Sequence, residues 1–261
     1  MAATPTINIT GEVLNALMTA SSTASVWIYP WTVSTTTSGI VSASVSGTNT
    51  SGIVYLGTDS ITFTIDNTDP IVTLTDTDSD NLVSGSNVVT ITATFSESMA
   101  ATPTINITGE VSNALMTASS TASVWIYPWT VSTTTSGIVS ATISGVDLAG
   151  NVYVAGSQSI TFTIDNSVPT VTLTDTDSDN LVSGSNVVTI TATFSESMAA
   201  TPTINITGEV SNALMTASST AAIWIYPWTV STTTSGIVSA TVSGSDLTGN
   251  AYVAGSQSIT F

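Results

Sequence analysis

Apolar and polar residues alternate at period two along most of this chain, and no segment shows the spacing of an amphipathic helix. Residues 88–95 alternate most regularly, which places four apolar side chains on one face of a strand: Val89, Ile91, Ala93 and Phe95. Residues 122–131 form a second such run, and its large side chains also share one face: Trp125, Tyr127, Trp129 and Val131. Because alternate residues of a strand point to opposite sides, we predict that both faces belong to a hydrophobic core.

Between residues 70 and 168 the pattern predicts seven short strands with turn residues at each break. They cover residues 71–75, 88–95, 103–108, 114–118, 122–131, 137–144 and 159–164. The 114–118 segment is the weakest, and we predict that it lies at a sheet edge. Pro128 has no N–H to donate to a ladder, so strand 122–131 is predicted to lie at an edge or to bulge there. Short strands without helical periodicity predict an all-β immunoglobulin-like sandwich.

The sequence also repeats itself with a period of about 99 residues. Trp27 recurs as Trp125 and Trp224, and residues 70–162 differ from residues 169–261 at only seven positions. We predict three tandem domains in an extended rod: a partial repeat at 1–69 without its first two strands, a complete repeat at 70–168, and a repeat at 169–261 with a truncated last strand. Two interpretations remain open: a window from a longer array, or a filament subunit whose missing strands come from a neighbouring chain.

Composition excludes several classes of function. The chain has no Lys, Arg or His and a formal charge of −17, so it lacks the cations that nucleic-acid binding and docking on anionic lipid require. No apolar run reaches the roughly 18 residues of a membrane span, and we expect no membrane insertion. Cysteine is absent, so disulfides cannot stabilise these domains. Without His, Cys or Lys, only a carboxylate-pair hydrolase is conceivable, and we predict that the protein is not an enzyme.

Several motifs resemble the tandem bacterial Ig-like repeats of giant cell-surface adhesins of marine and gliding bacteria. They are Pro-x-Val-Thr-Leu-Thr, Val-Val-Thr-Ile-Thr-Ala-Thr-Phe-Ser-Glu, Trp-x-Tyr-x-Trp, Asp-Leu-Ala-Gly-Asn and Ile-Thr-Phe-Thr-Ile-Asp-Asn. The resemblance implies an extracellular fibre, at a cell surface or secreted, that often carries calcium at domain junctions. It would place calcium ligands at Asp147 and Asp246 in the turns and at Asp66 and Asp165 in the linkers. The first repeat departs from the pattern, because Asn49 replaces the turn aspartate.

The acidic residues concentrate in loops that an immunoglobulin-like topology brings to the domain junctions. We predict Ca²⁺ ligands there, because calcium takes six to eight oxygen ligands and no cationic side chain competes for these carboxylates. At the junction of the second and third repeats the candidates are Asp76, Asp78, Asp80, Asp165, Asn166, Glu196 and Asp246. At the preceding junction they are Asp66, Asp69, Glu97 and Asp147, and the second acidic loop adds Asp175, Asp177 and Asp179.

The Asp-x-Asp-x-Asp order matches half of an EF-hand loop, but its twelfth position holds Asn87 or Asn186 instead of glutamate. We therefore exclude an EF-hand. Two interpretations of the acidic loops remain: a calcium loop, or solvated turns held by Asx-type hydrogen bonds.

These features predict a structural stalk or spacer segment of a large extracellular adhesin or surface fibre, stiffened by Ca²⁺. Its expected partners are neighbouring repeats, copies of itself in a filament, and a surface or glycan ligand at a distal tip. A rival function is a carbohydrate-binding module that stacks sugars on the Trp125, Tyr127 and Trp129 row, which would require an exposed row.

Overall fold

A computed structural model describes residues 1–23, 25–55, 57 and 59–261, and its regular structure in these ranges consists of β-strands. The first repeat contains β1 (Thr6–Ile9), β2 (Val13–Leu17), β3 (Thr19–Ala20), β4 (Trp27–Ile28), β5 (Gly39–Thr48), β6 (Val54–Tyr55) and β7 (Ser60–Ile65). The second contains β8 (Val72–Thr75), β9 (Leu82–Val83), β10 (Val88–Phe95), β11 (Thr104–Ile107), β12 (Val111–Leu115), β13 (Thr117–Ala118), β14 (Val124–Thr130), β15 (Gly137–Ser144) and β16 (Ile160–Ile164). The third contains β17 (Val171–Thr174), β18 (Val187–Phe194), β19 (Thr203–Ile206), β20 (Val210–Leu214), β21 (Thr216–Ala217), β22 (Ile223–Thr229), β23 (Ser239–Ser243) and β24 (Ile259–Thr260).

The second repeat is an immunoglobulin-like sandwich of two sheets. One sheet has the strand order β13-β14-β10-β8, and the other has the order β12-β11-β15-β16-β9. All pairings are antiparallel except the short parallel contact of β9 with β16. Strands β8 and β9 follow each other along the chain and lie at the edges of different sheets. The predicted all-β class is confirmed.

Side chains from both sheets form one core in the second repeat. Ile91 of β10, Ile105 of β11 and Phe162 of β16 are fully buried members of this cluster. The predicted inward face of residues 88–95 is confirmed, since all four of its apolar side chains are buried. Each buried Ile or Phe contributes about 1.5–3 kcal/mol of transfer free energy, so this core stabilises the domain without disulfides.

The strand prediction was wrong in one detail and incomplete in another. Residues 114–118 do not form one strand, because the chain moves between sheets around Met116, which is buried, and so forms the two edge strands β12 and β13. The sequence analysis also missed β9, which pairs with β16. Strand β14 pairs with β10 without a bulge, and Pro128 lies opposite Thr90. On its other side β14 pairs with β13 only at Trp125 and Ile126, so Pro128 lies at a local edge, in agreement with its lack of an N–H.

The third repeat has the same two sheets with a shorter last strand. Its sheets have the orders β17-β18-β22-β21 and β20-β19-β23-β24. Val182, the counterpart of Val83, is only partly buried, and Leu181 is 79% exposed. Residues 181 and 182 have no strand assignment, whereas their counterparts Leu82 and Val83 pair with Thr163 and Ile164 of β16.

The first repeat retains one extended sheet and a minimal second one. Strands β2, β1, β5, β6 and β7 form the larger sheet, and β3 pairs with β4 in a separate two-stranded sheet. Its buried cluster contains only Ile9, Val41 and Ile65 among the residues that the structure describes. The limits of the three domains, 1–69, 70–168 and 169–261, stay a prediction.

Candidate metal centres at the repeat junctions

Two groups of three carboxylates gather where one repeat meets the next. The first group contains Asp66, Glu97 and Asp147, and the second contains Asp165, Glu196 and Asp246. In each group one oxygen of every carboxylate lies within 4.8 Å of the other two. All six residues are among the calcium ligands that the sequence predicts, and the structure brings them together in equivalent triads.

The three carboxylates of each triad come from three separate segments of the chain. Asp66 follows the last residue of β7, and Glu97 follows the end of β10. Asp147 begins the turn between β15 and β16, where it forms a bridge with Met99. The strands that end at these residues carry apolar core side chains, so the packing of the sandwich holds the carboxylates close despite their like charges.

The Asp147 turn is internally hydrogen-bonded. Asp147 Oδ1 accepts main-chain N–H groups from Ala149 at 2.8 Å, Gly150 at 2.7 Å and Asn151 at 2.8 Å. Gly150 has φ +101°, a left-handed conformation in which glycine is favoured. Burial opposes the ionisation of Asp147, but the hydrogen bonds from Asn151 and the main-chain N–H groups outweigh it and lower the pKa of Asp147. The turn therefore fixes a charged carboxylate at the junction.

The turn also contacts the linker directly. Asn151 Nδ2 donates to Asp147 Oδ2 at 2.8 Å and to the main-chain oxygen of Asp66 at 3.2 Å. At the second junction Asn250 Nδ2 donates to Asp246 Oδ2 and to the oxygen of Asp165, at 2.8 Å and 2.9 Å. The Asn of each Asp-x-x-Gly-Asn turn thus ties the turn to the segment entering its repeat.

Electrostatic repulsion is concentrated on the glutamate of each triad. Burial raises the pKa of Glu97, and the negative charges of Asp66 and Asp147 raise it further. Burial also raises the pKa of Glu196, followed by the charges of Asp165 and Asp246. Two like unit charges about 4 Å apart near a protein surface repel by about 4 kcal/mol. Each triad is therefore a place where a proton or a metal cation is bound favourably.

The triads fit a hard divalent cation by the chemistry of their donors. Their side chains offer carboxylate oxygens, which Ca²⁺ binds through one or both oxygens, and the rest of its shell is commonly water or carbonyl oxygen. They contain no His or Cys, the residues that Zn²⁺ and copper sites favour. The chain contains no Lys or Arg side chain that could neutralise them instead.

The remaining predicted ligands lie elsewhere in the described part of the chain. Asp76 Oδ1 accepts the N–H of Asp78, and Asp80 Oδ1 accepts the N–H of Leu82. Asp175, Asp177 and Asp179 repeat this Asx-type arrangement. None of these six, nor the exposed Asp69, belongs to either triad. The acidic loop of the second repeat therefore does not join Asp165 and Asp246, and calcium binding by these loops stays a prediction.

Asn166 forms hydrogen bonds within the second repeat. Its Oδ1 accepts the N–H of Gly85, and its Nδ2 donates to the main-chain oxygens of Ser132 and Thr135. This side chain therefore ties together two loops of the second repeat, and calcium binding by Asn166 stays a prediction.

The sequence analysis missed the loop that contacts the third repeat. Ser84, only 8% exposed, donates its hydroxyl to the main-chain oxygen of Thr248 at 2.8 Å. A Cβ on Gly85 would lie 2.6 Å from the Cα of Thr133 and 2.9 Å from Asn166 Oδ1, so this close approach requires glycine. The only signal in the sequence was a Ser-Gly-Ser-Asn turn composition, which does not indicate a partner 164 residues away.

The aromatic row does not form an exposed platform. Trp125 is 8% exposed and Trp129 is 1% exposed, and Trp129 packs against Phe162 with ring centroids 5.2 Å apart. The Trp129 indole also donates to Glu110 Oε2 at 3.3 Å. Carbohydrate binding by this row, which required solvent-facing tryptophans, is therefore not favoured.

No family model matches the sequence, and no curated protein matches it. Among solved structures, fibronectin(III)-like modules of Clostridium thermocellum CbhA are 17% identical with a TM-score of 0.38, over 73% of this chain and 92% of theirs. The FN1–FN3 domains of chicken CNTN1 are 11% identical with a TM-score of 0.32, over 100% and 90%. Domains from titin are 12% identical with a TM-score of 0.40, over 98% and 88%. Separately, the described residues contain no helix long and apolar enough to cross a membrane.

Proposed function

We propose that the chain is a structural spacer of an extracellular, adhesin-type fibre, in which Ca²⁺ at the triads stiffens successive immunoglobulin-like domains. The observation that carries this proposal is the equivalence of the two triads. Each combines a linker aspartate, a glutamate that follows β10 or β18, and a turn aspartate. A cation bound to all three would hold the linker and two loops of the following repeat in one arrangement.

The location of the triads supports a mechanical role over a catalytic one. Asp66 and Asp165 directly follow the last strands of their repeats, so a bound ion would resist bending at these positions. The carboxylates repeat once per junction instead of converging in one pocket. An extracellular location agrees with the chemistry, because millimolar calcium sites are typical of extracellular modules. Salt also screens the charge of −17, since the Debye length falls from about 8 Å at physiological salt to about 3 Å at 1 M.

Small-angle scattering with and without Ca²⁺ tests the proposal. We expect Ca²⁺ to reduce the spread of end-to-end distances and to raise the melting temperature, and EDTA to reverse both effects. A double variant, Asp66→Asn with Asp165→Asn, should abolish these responses while leaving the main-chain oxygens of both residues in place. Asp69→Asn is the matched control, because Asp69 is an exposed linker carboxylate outside the triads. Scattering and melting curves that do not respond to Ca²⁺ would refute the proposal.

A further inference from the structure

The linker between the first and second repeats is held near both of its ends. Near its start, the N–H of Thr68 donates to Asp66 Oδ1 at 3.0 Å in an Asx-type turn. Near its end, the N–H of Ile71 donates to Ser96 Oγ at 3.1 Å, and Pro70 is buried. Only a short exposed stretch of chain therefore separates the turn from the anchored proline.

The linker between the second and third repeats is held in the same way. The N–H of Ser167 donates to Asp165 Oδ1 at 2.9 Å, and the N–H of Thr170 donates to Ser195 Oγ at 3.0 Å. Pro169 is buried, as is the proline of the first linker. Because the same contacts hold both linkers, a difference in their reactivity would come from the side chains that differ.

The linkers differ at the residue that precedes the proline. This residue is Asp69 in the first linker and Val168 in the second, and both side chains are exposed. Of the eight prolines in the chain, Pro70 alone follows an aspartate. Among the residues that the structure describes, the Asp69 carboxylate has no hydrogen-bond partner. The first linker therefore combines a free carboxylate with a prolyl peptide bond.

An aspartate side chain can attack the peptide bond that follows it. The carboxylate oxygen adds to the carbonyl carbon of the same residue and closes a five-membered ring. Departure of the next nitrogen leaves a cyclic anhydride, which water opens to two carboxyl groups. A prolyl nitrogen departs more readily than an ordinary peptide nitrogen, because its additional carbon substituent makes it more basic. The attack is also favoured by the high effective concentration of a group within the same residue.

We propose that the Asp69–Pro70 bond is a self-cleavage site that separates the first repeat from the second. The bond between the Asp69 carbonyl carbon and the Pro70 nitrogen breaks, the nitrogen takes a proton from the solvent, and one water molecule is consumed. The products are residues 1–69, which end in an aspartate with two carboxyl groups, and residues 70–261, which begin with a proline amine. The second linker does not react in this way, because Val168 has no carboxylate.

The position of the bond gives its cleavage a structural consequence. Asp69 is exposed, so water reaches the bond in the folded chain. The cut falls within the first junction, between Asp66 and the other two carboxylates of its triad, Glu97 and Asp147. Afterwards only non-covalent contacts would join the two sides, such as the hydrogen bond from Asn151 to the main-chain oxygen of Asp66. Cleavage would therefore turn a continuous linker into a separable joint.

The test incubates the full 261-residue chain in mildly acidic buffer. EDTA is present so that no cation occupies the Asp69 carboxylate, and circular dichroism verifies that the chain stays folded. Mass spectrometry under denaturing conditions measures the fragments, because contacts across the cut hold folded products together. We expect cleavage at Asp69–Pro70 to be at least about a hundredfold faster than cleavage at Val168–Pro169. Cleavage in urea but not in the folded chain would overturn the inference that the folded linker permits the reaction.

Two variants test the role of the carboxylate. Asp69→Glu keeps the charge but must close a larger ring, and it should slow cleavage about tenfold or more. Val168→Asp supplies the second linker with the same dipeptide and should add a second cut at a comparable rate. Both positions are exposed, so neither substitution should unfold the chain. Cleavage at residue 69 that is unaffected by Asp69→Glu would indicate a contaminating protease and overturn the inference, as would an intact second linker in Val168→Asp.

Discussion

The hydroxyl of Ser84 in the second repeat donates to the main-chain oxygen of Thr248 in the third repeat over 2.8 Å. Thr248 in turn donates its hydroxyl to the oxygen of Asp165 in the linker at 3.3 Å. Three segments that are far apart in sequence are therefore joined at one point beside the second triad. This contact needs no metal, so the second junction has both a cation-independent and a proposed cation-dependent restraint.

Ser84→Ala should loosen the second junction without unfolding either repeat. A hydrogen bond of this kind contributes about 1 kcal/mol, so the melting temperature should fall only slightly. Without Ca²⁺, scattering should show a broader distribution of angles between the second and third repeats. Ser183→Ala is the matched control, because Ser183 is the counterpart of Ser84 and its recorded side-chain partner is Asn186 of its own repeat. Equal broadening in both variants would contradict the junction contact.

Gly85→Ala should destabilise both its own repeat and the junction. The added Cβ would approach the Cα of Thr133 to 2.6 Å, and overpacking of this kind costs about 1–3 kcal/mol. Gly184→Ala meets the same obstacle at 2.7 Å from Thr232. Urea unfolding should show similar decreases in the free energy of unfolding for the two variants. Scattering should detect altered angles between the second and third repeats only for Gly85→Ala. Altered angles in both variants would contradict the assignment of the Gly85 loop to the junction.

Glu196→Gln should have opposite effects with and without calcium. Because burial and the charges of Asp165 and Asp246 raise the pKa of Glu196, ionising this side chain costs more free energy in the folded state than in the unfolded state when no cation is bound. The neutral amide should therefore raise the melting temperature in EDTA. With Ca²⁺ present, the loss of a charged ligand should remove most of the calcium-induced increase in melting temperature. A change of the same sign in both conditions would contradict a metal role for this triad.

Glu209 should contribute stability that depends on pH. The hydroxyl of Thr234, the N–H of Ser231 and the indole of Trp228 lower its pKa, against the opposing effect of burial. A carboxylate with a lowered folded-state pKa stabilises the fold above its unfolded-state pKa, and this contribution is lost as pH falls through the folded-state value. The original chain should therefore be more stable than Glu209→Gln above pH 4.5, and the difference should vanish at lower pH. Melting curves recorded from pH 2.5 to 7 measure this difference in stability. A difference that does not change with pH would contradict the lowered pKa of Glu209.

Equivalent tryptophans should differ in their contribution to stability. Trp129→Ala removes a side chain that is 1% exposed and should cost about 3–5 kcal/mol in the second repeat. Trp31→Ala removes its half-buried counterpart, and the first repeat should lose much less. Hydrogen exchange of the amides in β10 and β5 reports the two repeats separately. Equal losses would indicate that the first repeat already has a closed core in solution.

The sequence alone determined the all-β class, most of the long strands and the inward face of residues 88–95. Val89, Ile91, Ala93 and Phe95 are buried as predicted, because side-chain alternation is a local property of a strand and requires no knowledge of its partner. The repeat period of about 99 residues is also evident from the sequence alone. The sequence also named all six carboxylates of the triads, since the connectivity of an immunoglobulin-like sandwich places the ends of these strands near one another.

Only the tertiary structure decided which groups meet. It placed Ser84 instead of Asp78 against the third repeat, assigned Asn166 to hydrogen bonds with Gly85 and Ser132, and paired Leu82–Val83 with β16. These contacts join residues separated by 34 to 164 positions. They depend on how the packed sheets orient each loop, and alternation along a strand carries no information about that orientation.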